Sequence, residues 1–246
     1  MTVQAALNGN RSDAIVPATV ADLVASAAAC IRSGATSIHL HPRDAAGRES
    51  LDGRWIDATV AALREAVPGV PVGVSTGAWI EPDLPTQLAR IRSWTELPDF
   101  ASVNFDEPGC REVAALLTEW GIPIEAGLSD ETSAKNFAAT ARTLNILRIL
   151  IEPQAGQVAA ALATVAGIES ILEGADLRYP RLLHGVDITA WPMVEAAGER
   201  AYATRMGFED TLLLPDGRPA RSNAELLTAC LAWWQQRRPG PARQVK

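Results

Sequence analysis

Residues 20–44 read VADLVASAAACIRSGATSIHLHPRD, and the fold is read outward from this stretch. Val20, Leu23, Val24, Ala27 and Ile31 recur at spacings that put them on one face of a helix. Gly34 then stands where helices commonly end in a left-handed residue. Residues 37–41 form a short strand-like run, which Pro42 stops and the charged Arg43 and Asp44 follow. A helix, a glycine stop, a short strand and a polar cluster thus make one unit.

The same unit recurs along the whole chain. Strand-like runs fall at 3–7, 37–41, 72–75, 101–104, 122–126, 146–151, 182–185 and 203–207. Helical periodicity separates them, as in Ile56, Val60, Leu63 and Val67, or Val158, Leu162, Val165, Ile168 and Leu172. A helix is also expected around 135–142. The first and last runs begin 200 residues apart, so the repeat is about 28 residues, the size of a unit in a (β/α)₈ TIM barrel. An open doubly wound α/β sheet shares the alternation and is the rival architecture. No linker or low-complexity segment divides the 246 residues, so a single barrel domain over 1–246 is expected, with 239–246 as a flexible tail.

Composition narrows the function. With 22 basic and 29 acidic side chains the net charge is −7, which argues against nucleic acid or an anionic membrane as the partner. There is no run of 18 apolar residues, and the first residues lack the pattern of a secretory leader, so a cytoplasmic setting is expected. Cys30, Cys110 and Cys230 are odd in number, far apart and in helical patterns, which reads as buried thiols rather than a disulfide framework.

In a barrel of this kind the catalytic groups stand at the C-terminal ends of the strands. Those ends carry most of the polar clusters: Asn8 to Arg11, His39 to Asp44, Ser75 to Gly77, Asn104 and Glu107, Glu152, His184, and Arg205 to Asp210. Glu125 lies within the fifth run. His39 and His41 are two apart on a strand and face the same side. Two such imidazoles with a carboxylate from another strand make three metal ligands and leave a position open; the alternative is two histidines that only make hydrogen bonds. Glu209 and Asp210 read as one ligand and one base, or as a solvated loop with a helix cap. Ser75-Thr76-Gly77 offers hydroxyls and N–H groups to a carboxylate, or is a simple turn.

The segments HLHPRD, GVSTG, SVN, EAGL and RMGFED together resemble the β-keto acid cleavage enzymes, the family that includes the 3-keto-5-aminohexanoate cleavage enzyme. The likeness runs from about residue 6 to about residue 210. It implies a zinc-dependent barrel, a homo-oligomer, that condenses a β-keto acid with acetyl-CoA to give acetoacetate and a new acyl-CoA. Carried over motif by motif, it implies that His39, His41 and Glu209 bind Zn2+, that Asp210 is the base with Arg205 as its partner, and that Ser75 holds the keto acid. Thr76, Asn104 and Arg11 are the further substrate-binding candidates. The amine-specific relative has an acid shortly after its first strand, where this chain has Asn8-Gly9-Asn10-Arg11; a cation there would disfavour an amine-bearing substrate. Three other readings are an amidohydrolase, a metal-dependent aldolase without CoA, and a non-catalytic zinc- or ligand-binding barrel. An amidohydrolase would place HxH on the first strand and needs more histidines than the remaining His184.

Overall fold

The computed structural model describes residues 2–237, so the expectation for a tail at 239–246 lies outside the described residues. The strands are β1 (Val3–Ala6), β2 (Ser37–Leu40), β3 (Val72–Ser75), β4 (Phe100–Asn104), β5 (Ile124–Leu128), β6 (Ile146–Ile151), β7 (Arg181–Leu183) and β8 (Ala203–Met206). Each pairs in parallel with the next, and β8 pairs with β1, so the sheet closes into an eight-stranded barrel. The open-sheet alternative is excluded by that last pairing. The helices between and after the strands are α1 (Val20–Arg32), α2 (Gly53–Ala66), α3 (Leu84–Ile91), α4 (Cys110–Glu119), α5 (Glu131–Ala138), α6 (Val158–Gly174), α7 (Ala190–Glu199) and α8 (Asn223–Arg237).

Local chemistry sets the boundaries. Thr19 caps α1: its hydroxyl accepts from the Asp22 N–H, and the Asp22 carboxylate accepts from the Thr19 N–H. β5 begins two residues later than the apolar run suggests, because Ile122 still donates to Leu117 O at the end of α4 and Pro123 has no N–H to give the ladder. α5 begins earlier than its apolar pattern suggests. Asp130 and Ser133 form a capping box there, and a short 3₁₀ turn at Ala141–Thr143 follows the helix.

The apolar core lies between the strands and the helices, where Ile38, Leu40, Val72, Val74, Ala101 and Val103 meet residues such as Leu23, Ile56, Val60 and Leu117. The inward positions of the barrel are largely polar instead. Gln4 on β1 reaches across the barrel and donates to Glu125 on β5 at 3.1 Å. Glu125 also accepts from Arg148 Nε, and the Arg148 guanidinium lies over the Phe100 ring. Burial alone would raise the pKa of Glu125, but Arg148, His39 and Arg205 hold it below the ordinary range. Glu125 is therefore committed to the barrel floor. Cys30 and Cys230 are buried as expected, whereas Cys110, at the start of α4, is only half-buried. Among the described residues, no helix is long and apolar enough to cross a membrane.

Candidate active site

Closing a parallel barrel brings all eight strand ends to one face, so residues distant in sequence meet there. A cavity of about 290 Å³ opens at that face, with His39, His41, Ser75, Asn104, Glu152, Arg205 and Glu209 in its wall. His39 lies within β2 and His41 just past it. Their Nε2 atoms are 3.2 Å apart, and both face Glu209 Oε1, at 3.7 Å from His39 and 3.4 Å from His41. The three ligand atoms lie within 4.8 Å of one another. Glu209 Oε2 and His39 Nδ1 are buried without a hydrogen-bond partner. Two buried imidazoles and a partly buried carboxylate converging on one point fit a divalent cation.

The backbone is shaped to hold this cluster. Asn8 grips His41 from below: its amide donates to His41 O at 2.8 Å, and its oxygen accepts from the His41 N–H at 2.9 Å. Gly9 has φ +55°, and a Cβ there would stand 2.5 Å from Glu209 Cγ, so only glycine lets the Glu209 side chain lie against this turn. Burial, only partly offset by the charge of Glu209, lowers the His39 pKa to about 4. Burial opposes charge at His41 as well, but there the Glu209 and Glu49 carboxylates raise the pKa to about 9.

Arg205 ties the two adjacent acids together. Its Nη2 donates to Glu209 Oε1 and to Asp210 Oδ1, both at 2.9 Å, and its Nε donates to Asp210 Oδ1 at 3.1 Å. Arg205 is buried, which by itself would lower its pKa, yet Asp210 and Glu209 raise it. Asp210 is fully buried behind Arg205, and its Oδ2 has no hydrogen-bond partner. His184, past the end of β7, stands between two carboxylates. Its Nδ1 is 3.3 Å from Asp210 Oδ1 and its Nε2 3.4 Å from Glu152 Oε2. Its strand-end position is legible in the sequence, but its two carboxylate partners come from other strands and are not.

The remaining candidates divide. Ser75 and Asn104 reach the cavity wall. The Asn104 amide donates to Glu107 Oε1 at 2.7 Å, and Glu107 also accepts from the Ala78 N–H. Burial raises the Glu107 pKa nonetheless. Thr76 is buried with its hydroxyl donating to Ser102 O, so its side chain is engaged in the frame. Arg11 is likewise engaged: it pairs with Asp187 at 2.5 Å and donates to the carbonyls of Glu209 and Asp210. Its guanidinium braces the backbone of the two acids and its charge is matched by Asp187.

A family model described as "beta-keto acid cleavage enzyme" matches residues 1–243. A curated relative, the 3-keto-5-aminohexanoate cleavage enzyme of Fusobacterium nucleatum, is 26% identical over 231 residues, covering 86% of this chain and 81% of that protein. Among solved structures, a tryptophan synthase alpha chain from Legionella pneumophila superposes with a TM-score of 0.64 at 13% identity, over 96% of this chain and 92% of that one. A mandelate racemase/muconate lactonizing enzyme from a Roseiflexus species gives 0.51 at 14% identity over 96% of this chain. This chain spans about half the length of that enzyme, 53%. At such identities the two structures share only the barrel.

Proposed function

Because this chain belongs to the beta-keto acid cleavage enzyme family, we propose that it converts a β-keto acid and acetyl-CoA into acetoacetate and the CoA thioester of the remaining acyl group, with zinc held by His39, His41 and Glu209. The observation that carries this reading is the convergence of those three ligand atoms beside the Arg205–Asp210 pair. Bound zinc would supply a Lewis acid to the keto oxygen. The Ser75 hydroxyl and the Asn104 amide, both in the cavity wall, orient the substrate carboxylate. Asp210 takes the proton at Oδ2, the oxygen that Arg205 leaves free. Arg205 holds that carboxylate in place through Nε and Nη2.

Glu152 is a second candidate for the proton acceptor, because it lines the cavity directly while Asp210 lies behind Arg205. Family likeness also supports a homo-oligomer, which light scattering of the purified protein checks. The deciding experiment mixes the zinc-loaded protein with acetyl-CoA and a panel of β-keto acids. Acetoacetate formed only with CoA ester present is the expected result. Cleavage independent of CoA would establish the aldolase reading, and bound zinc without turnover on any substrate would favour a binding barrel.

A further inference from the structure

The loop from Pro42 to Ser50 returns a carboxylate to the histidine it leaves. Arg43 pairs with Glu49 in an isolated antiparallel bridge, and the Asp44 carboxylate accepts from the N–H groups of Ala46 and Arg48 at 2.8 and 3.0 Å. This fold-back sets Glu49 Oε1 against His41 Nδ1. The other oxygen, Oε2, accepts from the Trp79 indole N–H at 3.0 Å. The indole also stacks on the His41 ring, with centroids 6.1 Å apart and planes 26° from parallel. Room for it comes from Gly77, where a Cβ would lie 2.3 Å from the indole. Trp79 is 48% exposed, so apolar burial alone does not explain a large ring fixed in this place. Its ring lines both the catalytic cavity and a neighbouring polar cleft of about 480 Å³, and Glu49 lines that cleft.

We propose that Glu49 and Trp79 form a clasp on His41: Glu49 holds the imidazole by Nδ1–H with Nε2 toward Glu209 and His39, where its lone pair serves zinc once the metal replaces the Nε2 proton, and Trp79 fixes Glu49. The inference rests on the reading that His39, His41 and Glu209 hold zinc. A ligating imidazole needs its other nitrogen held, since a wrong tautomer or a turned ring removes the lone pair from the site. His39 has no such partner, because its Nδ1 is buried and unpaired. The clasp therefore acts on one of the two imidazoles, and both Glu49 and Trp79 are positioning residues.

The test measures the zinc dissociation constant by chelator competition, together with the melting temperature of each metal-free protein. Glu49→Ala should weaken zinc binding about 10–100-fold while the metal-free protein melts like wild type. Glu49→Gln keeps an oxygen for the His41 Nδ1–H and should lose less. Trp79→Phe keeps a ring and loses the N–H; it should weaken binding in the wild-type background and change nothing further in Glu49→Ala, because its effect runs through Glu49. A folded Glu49→Ala that binds zinc as tightly as wild type overturns the clasp. Should Glu49→Ala not fold, Trp79→Phe decides: unchanged affinity there overturns it equally. A wild-type protein that binds no zinc is a different result, since it removes the zinc reading itself.

Discussion

Adjacent acids, Glu209 and Asp210, occupy different surroundings, and their roles separate accordingly. Glu209 presents Oε1 to two imidazoles, whereas Asp210 is fixed by Arg205 and by the neighbourhood of His184. Asp210→Asn should lower kcat about 10²–10⁴-fold with zinc retained, the range of a lost general base. Glu209→Gln should instead weaken zinc, read by elemental analysis. If Glu152→Gln abolishes turnover and Asp210→Asn does not, the proton goes to the cavity-lining acid. Arg11 makes a second contrast. An unpaired cation near the mouth would repel an ammonium, but Asp187 matches its charge. Arg11→Ala should therefore leave the ratio of kcat/KM between neutral and cationic β-keto acids unchanged. It should lower kcat for both, by up to about 10²-fold, as the backbone of Glu209 and Asp210 shifts. A change in the ratio would show that Arg11 meets the substrate after all.

Elements meet at the seam where β8 closes onto β1, and one side chain at the start of α8 pins it. Asn223 accepts from the Phe208 N–H at 2.6 Å and donates to Leu7 O at 2.9 Å and to the Ser26 hydroxyl at 3.0 Å. It joins the loop that carries Glu209 and Asp210 to the end of β1 and to α1. Removing it strands a buried N–H and a buried carbonyl, each at a cost of about 1–3 kcal/mol. Asn223→Ala should lower the stability by about 3 kcal/mol and Tm by roughly 6–12 °C. Calorimetry checks this, and a fall of a degree or less would mean that water replaces the amide. The acids' loop should loosen as well, so kcat should fall in Asn223→Ala even well below its Tm.

For the molecule as a whole, metal, protons and folding are linked. His41, raised to about 9 from an ordinary 6.5, favours the metal-free fold fully below pH 6.5, and that contribution fades as pH rises through 9. His39, lowered to about 4, acts oppositely: its contribution is complete above pH 6.5 and is lost as pH falls through 4. Between those limits the metal-free pair carries one positive charge, on His41. Zinc binding near pH 7 should release about one proton, seen as a buffer-dependent enthalpy in calorimetry. No dependence on buffer would mean that His41 is already neutral without metal. Zinc at a hundredfold excess over its dissociation constant should also add about 2.7 kcal/mol to stability, so chelation should lower Tm.

Periodicity along the chain determined eight alternating strands and helices, since apolar spacing is a local property that helix and strand geometry read directly. Strand-end position then singled out His39, His41, Arg205, Glu209 and Asp210, because the parallel order of a barrel sends every such end to one face. Even the eighth strand, the least apolar of the runs, was legible this way. Boundaries set by caps were harder: α5 starts at Glu131, behind its cap Asp130, for a reason of hydrogen bonding that hydrophobic spacing does not register. Tertiary structure alone decided where the loop side chains turn. Arg11 faces Asp187 and two carbonyls, Thr76 faces Ser102, and Glu49 returns to His41 from eight residues away. His184 meets Asp210 and Glu152 only when β6, β7 and β8 lie side by side. These contacts depend on closure of the barrel and on hydrogen bonds between loops that are remote in sequence, so no local pattern of residues could encode their direction.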